Sequence, residues 1–300
     1  MARVFIGMAV FNGQKTVAAA IDSLLKQSFF DFTLFISDDA SNDTTPDICM
    51  EYARKDARIQ YYRQEQNLGM LPNLKFVLDQ ANEELFTWVD ADDLRDTDFL
   101  SACVNAIDSR NVDAACTAVD IIDSYDRSIR PLPELSELSG NPSVRQVATY
   151  ILQPEVLGKN NLMYSVFRTS IAKKLWDIYP QRAEWGSDYH FSLALVSRFK
   201  LYVDPRLLLK KRIGGVSSAD PTRNEDPEKA TAIIITDPKN HMFPFGRFGT
   251  YYSGHVEALR GTRYVLLAKL LLLIRLPRAF LIHLRERDVR KLARKLLLRK

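Results

Sequence analysis

Strand-like and helix-like segments alternate through residues 4–90, and that alternation restricts the fold of the chain more than any other property. Val4 to Val10 reads as a buried strand, and Val17, Ile21, Leu24 and Leu25 then mark one face of a helix. Thr33 to Ser37 is a second short apolar run. Thr45-Pro46-Asp47 follows as a helix start, with a cap, a proline in the first turn and an acid beside it, opening a helix to about Lys55. Ile59 to Arg63 makes a third strand, Leu74, Val77, Leu78 and Ala81 a third helix face, and Leu85 to Val89 a fourth strand. Strands separated by helices at this spacing predict a parallel, doubly wound sheet. In such a sheet the ligand sits beyond the carboxyl ends of the strands, so the polar groups just after each strand are the candidates for chemistry.

Three segments stand at those places: Phe11-Asn12-Gly13, Asp38-Asp39-Ala40-Ser41-Asn42-Asp43 and Asp90-Ala91-Asp92-Asp93. No G-x-G-x-x-G follows the first strand and no G-x-x-x-x-G-K-[ST] occurs, which removes the main support for dinucleotide and P-loop chemistry. Carboxylates at the strand ends repel a bare diphosphate unless a cation lies between them, and a divalent metal resolves the conflict. Oxygen-only ligands such as Asp90, Asp92 and Asp93 suit Mg²⁺ or Mn²⁺. A solvated turn or helix cap is the bland explanation of a lone D-x-D, and the preceding buried strand is what favours the metal here.

The chain of 300 residues is 46% hydrophobic and 26% charged, which excludes a disordered, collagenous or disulfide-stapled protein. Three cysteines, Cys49, Cys103 and Cys116, fit no zinc spacing and read as packed thiols. The net charge of +4 conceals a division. Residues 260–300 hold thirteen Lys/Arg against Glu286 and Asp288, leaving the rest of the chain acidic. Thr262 to Leu284 is very apolar, but Lys269, Arg275, Arg278 and His283 interrupt it and Pro277 breaks any helix. Its uncharged stretches fall short of the ~20 residues that span a bilayer. Val289, Leu292, Ala293, Leu296 and Leu297 recur at helical spacing among Arg290, Lys291, Arg294, Lys295 and Arg299, a basic amphipathic helix suited to an anionic membrane surface. A helical hairpin packed on the body, or a nucleic-acid-binding arm, are the alternatives. The acidic body and the poor interleaving of aromatics argue against nucleic acid as a partner. Met1 to Val10 does not read as a signal peptide, so the body is expected in the cytoplasm, peripheral on the inner face of the plasma membrane.

The motifs in order resemble those of the family 2 glycosyltransferases. They are Val10-Phe11-Asn12, Leu24-Leu25-Lys26-Gln27-Ser28-Phe29, Ser37 to Thr44, Asn67-Leu68-Gly69 and Asp90-Ala91-Asp92-Asp93. The resemblance implies an α/β GT-A fold, a Rossmann-like mixed sheet flanked by helices, a nucleotide-sugar donor, a divalent cation and transfer with inversion at the anomeric carbon. It implies that Asp39 accepts the N3 proton of uracil or thymine, with Ala9, Val10, Phe11, Asn12, Asn67 and Gly69 around the nucleotide. Asp92 then lies near ribose and metal, Asp93 is a metal ligand and Asp90 completes the motif.

Farther on, Ala183-Glu184-Trp185-Gly186-Ser187-Asp188-Tyr189 resembles the family segment ending in Glu-Asp, with Ser187 in place of the Glu. Asp188 then matches the catalytic base, the other explanation being a helix N-cap, and Trp185 offers an acceptor sugar a stacking wall. Arg212-Ile213-Gly214 resembles a motif whose first Arg can meet the diphosphate, but Gly214 stands where a His commonly helps hold the metal. Leu71-Pro72-Asn73 likewise lacks an Arg found in many relatives. The domains expected are a glycosyltransferase unit over 1–216, divided into a nucleotide half (1–110) and an acceptor half (111–216). A mobile loop and connection (217–261) and membrane-associating helices (262–300) follow. Tyr251 and Tyr252 read as exposed aromatics. The expected function is transfer from a UDP- or dTDP-sugar to a lipid-linked or nascent surface glycan. The alternative is a non-catalytic, sugar-nucleotide-binding or scaffolding subunit.

Overall fold

A computed structural model describes residues 2–153, 157–178, 186–212 and 248–277. The expected alternation is present: β1 (Val4–Val10), α1 (Val17–Leu25), β2 (Phe32–Asp38), α2 (Thr45–Lys55), β3 (Ile59–Arg63), α3 (Met70–Gln80) and β4 (Leu85–Asp90). β1 is covered on both faces, as a central parallel strand must be. Its Gly7 has a packing reason: a Cβ there would collide with Val77 of α3 and press on Phe86 of β4. β1 pairs in parallel with β2, Val10 beside Asp38, and with β4, Ala9 beside Asp90. That register brings the two acidic segments to the same edge of the sheet.

The second half makes the sheet mixed. The strands are β5 (Leu94–Arg95), β6 (Ala114–Ile122), β7 (Ser128–Leu132), β8 (Val166–Arg168) and β9 (Leu201–Arg212), and the order is β3-β2-β1-β4-β8-β6-β9-β5, with β7 on β6. β8 runs antiparallel to β4 and β6, while β9 lies parallel to β6. The β6–β9 register slips where Thr117 faces Asp204 and Ala118 faces Leu207, at Pro205, which has no N–H for the ladder. Beyond that slip β9 continues to Arg212, so its last residues return to the loop after β4.

The helices α4 (Phe99–Arg110), α5 (Val144–Leu152), α6 (Thr169–Ile178) and α7 (Ser187–Arg198) cover this half. α7 is buried almost all round. Its Phe191 meets Trp88 of β4 edge-on at 5.6 Å, and Trp88 also contacts Phe86, Phe167 and Trp176. Such aromatic pairs each contribute about 0.5–1.5 kcal/mol beyond area burial. They lock the strand ending in Asp90 to the helix beginning near Asp188.

α8 (Phe248–Ala258) packs on α7, and here an expectation is corrected: Tyr251 is fully buried rather than exposed, its ring centre 3.8 Å from that of His255 with the planes tilted by 31°, while Tyr252 is half-buried. Gly254 allows this approach, since a Cβ there would lie inside the His190 ring. A last helix, α9 (265–277), buries Ala268 and Leu272, and its Arg275 guanidinium donates to the Ile151 carbonyl at 2.7 Å, closing the end of α5. Arg275 thus points inward rather than breaking an apolar surface. No helix among the described residues is long and apolar enough to cross a membrane. All three cysteines are buried and unbridged. Trp185, Gly214, the 217–247 segment and the basic helix around residues 289–297 lie outside the described residues.

Candidate active site

At the edge where β1 and β2 end, the loops are tied together before any ligand is considered. Asn12 donates its N–H to Ser41 Oγ at 2.9 Å and accepts the Asn42 N–H on Oδ1 at 3.0 Å. Asn12 and Ala40 take left-handed conformations, with φ of 52° and 58°. The adjacent aspartates then divide. Asp38 is enclosed, accepting the Ser41 N–H and the Tyr61 hydroxyl, and is a structural group. Asp39, also buried, points the other way, and its two oxygens accept the N–H groups of Leu68 and Gly69 at 2.7 and 3.0 Å. Asn67 Oδ1 takes the same Gly69 N–H at 3.0 Å, and Gly69 has φ of 86°, a backbone state that a side chain disfavours. A carboxylate accepting two N–H groups still has lone pairs for a third donor. Ala9, Val10, Phe11, Asn12, Asn67 and Gly69 thus lie on the elements around Asp39, with Phe11 exposed.

The second acidic segment closes on itself. Asp90, Asp92 and Asp93 each offer an oxygen, all within 4.8 Å of one another. The ammonium of Lys211, at the end of β9, donates to Asp90 Oδ2 at 2.5 Å and to Asp93 Oδ2 at 2.9 Å. It lies 3.4 Å from the Tyr164 hydroxyl and 4.4 Å from that ring's centre. Asp93 Oδ1 accepts the Arg212 N–H at 3.0 Å. Burial works to raise the Asp90 carboxyl, but the charge and hydrogen bond of Lys211 outweigh it and hold it below the usual range. Asp92 differs. Among the described residues no other group donates to its carboxylate, and burial with the charges of Asp93 and Asp90 pushes it up to about 7. Asp93 is raised too, chiefly by burial.

Arg212 has its guanidinium engaged within the protein: Nε on the Asp92 carbonyl, one terminal nitrogen on the Asp123 carbonyl, both at 2.9 Å, and the other on Asp126 at 2.5 Å. In this arrangement it braces the loop after β4.

Asp188 lies in the first turn of α7, after the N-cap Gly186, so it is not itself the cap. Its Oδ2 accepts the Asn160 amide at 2.8 Å and its Oδ1 the Tyr189 N–H at 3.0 Å. The side chain is half-open to solvent yet closely surrounded by protein, and its carboxyl is raised, mainly by burial. Its hydrogen bonds and the positive charge of Lys211 oppose the rise. The positive charge of Lys211 is thus felt at Asp188 as well as in the acidic cluster.

Lys211, Tyr164 and Asn160 are the site residues that sequence reasoning missed. The one available signal was Lys211 standing in phase with buried Leu209 on a strand, an inward position for an ammonium.

A nucleotide-diphospho-sugar transferase fold with an acidic cluster at its strand ends is the class these features define. The sequence profile of "Glycosyl transferase family 2" matches residues 5–176, and the chain belongs to that family. It is 34% identical over 94 residues to the GalNAc(5)-diNAcBac-PP-undecaprenol beta-1,3-glucosyltransferase of Campylobacter jejuni, covering 31% of this chain and 30% of that one. It is 29% identical over 138 residues to the putative glycosyltransferase EpsE of Bacillus subtilis, covering 45% and 50%. The chain thus spans half or less of the length of these relatives. Among solved structures, S. aureus TarS 1–349 in complex with UDP-GlcNAc superposes with a TM-score of 0.63 at 16% identity, over 90% of this chain and 70% of that one. The mannosyltransferase PcManGT from Pyrobaculum calidifontis, in complex with GDP-Man and Mn²⁺, gives 0.56 at 15%, over 95% and 73%. At those identities the likeness is one of fold.

Proposed function

We propose that the chain is an inverting glycosyltransferase that moves a sugar from a UDP- or dTDP-sugar to a hydroxyl of a lipid-linked or nascent surface glycan. The observation that carries the reading is the convergence, at one end of the sheet, of Asp39 and the Asp90–Asp92–Asp93 cluster, with Asp188 held by Asn160 of the same short segment whose Tyr164 meets Lys211. Asp39 accepts the N3 proton of the base, which uracil and thymine share. Asp90, Asp92 and Asp93 fit a divalent cation: three carboxylates converge there, and two of them already grip a cationic group from the chain itself. Such an ion, Mn²⁺ or Mg²⁺, supplies charge neutralisation for a departing diphosphate.

The acceptor hydroxyl oxygen forms its bond to the anomeric carbon on the face opposite the leaving oxygen. The anomeric C–O bond breaks with its electron pair going to the diphosphate, and the hydroxyl proton goes to an oxygen of Asp188. A carboxylate raised by burial is the stronger base for that transfer. Asn160 and the Tyr189 N–H fix its orientation. Trp185 serves the acceptor and Arg212 supports the diphosphate end by holding the Asp92 backbone.

The relative from Campylobacter jejuni acts on an undecaprenol-linked substrate by name, which supports an amphiphilic acceptor. So does α9, whose Leu266, Leu270, Leu273 and Ile274 form an exposed apolar stripe continuing into the basic sequence beyond Pro277. Peripheral association with an anionic inner membrane leaflet follows. The test measures nucleoside diphosphate release from UDP- and dTDP-sugars with isolated lipid-linked acceptors and Mn²⁺. Acceptor-dependent release is expected. Tight donor binding without release on any acceptor would instead establish the scaffolding alternative.

A further inference from the structure

The proposed reaction gives Lys211 no task, and its placement is unusual. An ammonium on a flexible stem reaches from the end of β9 and takes one oxygen each from Asp90 and Asp93, two of the three carboxylates assigned to a divalent cation. Its side chain is only 21% exposed, and the Tyr164 ring and hydroxyl hold its other side. The cluster is therefore partly neutralised by the chain itself, one ammonium standing against three carboxylates. A metal ligated by the same oxygens needs the lone pairs that Nζ now uses, and two cations in one small cluster repel. Asp92 is buried, and with no other group donating to its carboxylate among the described residues it keeps its lone pairs for an ion.

We propose that Lys211 is a built-in counter-ion that competes with the divalent cation for Asp90 and Asp93, so that an ion enters the cluster only as the Lys211 ammonium leaves it. This rests on reading the cluster as the cation site. The free protein then binds divalent ions weakly, and the ammonium, once released, has the negatively charged donor diphosphate as its nearest new partner. A lysine suits this use: its compact charge sits on four rotatable carbons, whereas the planar fork of an arginine would be held in one geometry.

The test is Mn²⁺ binding to the full chain by electron paramagnetic resonance, without nucleotide. Lys211→Gln is expected to bind Mn²⁺ at least about ten-fold more tightly than the natural protein, and Lys211→Arg, which keeps the charge, to stay weak. Equal or weaker binding by Lys211→Gln, with binding abolished when Asp93→Asn is added, overturns the competition but keeps the cation site. Undiminished binding in the Lys211→Gln, Asp93→Asn double variant overturns the cation site itself. A second measurement needs no variant: amine acylation read by mass spectrometry should show Lys211 of the natural protein becoming more reactive at saturating Mn²⁺. Unchanged reactivity while Mn²⁺ is bound also overturns the proposal.

Discussion

Replacing Asp188 with asparagine separates the proposed base from the mere occupant of a helix start. The substitution is isosteric, but it exchanges an acceptor for a donor. Asp188 accepts Asn160 Nδ2 on one oxygen and the Tyr189 N–H on the other, so an amide nitrogen at position 188 meets a donor either way unless the Asn160 amide also turns over, in which case the bond is kept and the stability loss is small. One lost hydrogen bond with an unpaired donor costs about 1–3 kcal/mol. Loss of a general base costs about 100- to 10,000-fold in kcat, or about 3–5 kcal/mol in the barrier. The two effects are separable because the partner is known. Adding Asn160→Asp lets the introduced amide at position 188 donate to a carboxylate, restoring the bond with its direction reversed. Thermal unfolding of the double variant should recover most of the stability lost by Asp188→Asn, while nucleoside diphosphate release stays at the single-variant level, the base being displaced to residue 160. Turnover in Asp188→Asn above a tenth of the natural rate, or activity recovered in step with stability, would refute a proton transfer to Asp188.

Three further outcomes are expected. Asp39→Ala removes the acceptor for two backbone N–H groups and, in the proposed reading, for the base of the donor, so calorimetry should show UDP affinity falling at least about ten-fold while an acceptor analogue binds unchanged. His255 is buried against Tyr251 and His190, with Lys159 and Arg275 nearby, and burial pulls its pKa well below 6.5. A lowered folded pKa contributes stability that is complete above the unfolded value and lost as pH falls beneath it. Between pH 7.5 and 5.5 His255 alone should therefore contribute a loss of about 1.4 kcal/mol, read in chemical denaturation as the difference between the pH dependences of the natural protein and His255→Phe, because the raised carboxyls of Asp92, Asp93 and Asp188 act in the opposite sense in both. Truncation after Pro277 should release the protein from anionic vesicles without lowering its melting temperature, whereas truncation after Gly261 should lower it, because Tyr264, Ala268, Leu272 and Arg275 are buried in the body.

The proposed donor end of the site could be read as a cluster of strand ends because its parts are local. Asp39 and Asp90 each follow a strand of a βα unit whose apolar period is plain in the sequence, and parallel pairing with in-register ends forces them to one edge. The other end depends on contacts between distant segments, which no local period encodes. Lys211 meets Asp90 across 121 positions and Asn160 meets Asp188 across 28. The antiparallel β8, three residues long, gave too short a run to be read from periodicity, and only the family resemblance implied the mixed sheet that it helps to make. Tyr251 illustrates the same limit. An aromatic pair beside a glycine looks like surface until Gly254 is seen to admit the His190 ring.

The buried polar groups of the C-terminal helices connect the proposed membrane face to the proposed base. Leu266, Leu270, Leu273 and Ile274 face outward on α9, while Arg275 on the same helix donates to the Ile151 carbonyl and lies 3.4 Å from the Tyr251 hydroxyl. Tyr150, one residue before Ile151, donates its hydroxyl to the Tyr189 carbonyl at 2.7 Å, and Tyr189 is the neighbour whose N–H orients Asp188. Each link is a satisfied hydrogen bond in a low-dielectric interior, costly to break and directional while made. An acceptor held at the membrane by its lipid would meet a base whose position relative to that surface is set by these bonds. Arg275→Met, which keeps the apolar stem and removes the donors, should therefore lower turnover on lipid-linked acceptors while leaving turnover on short water-soluble analogues unchanged. Equal loss on both would assign Arg275 to stability alone.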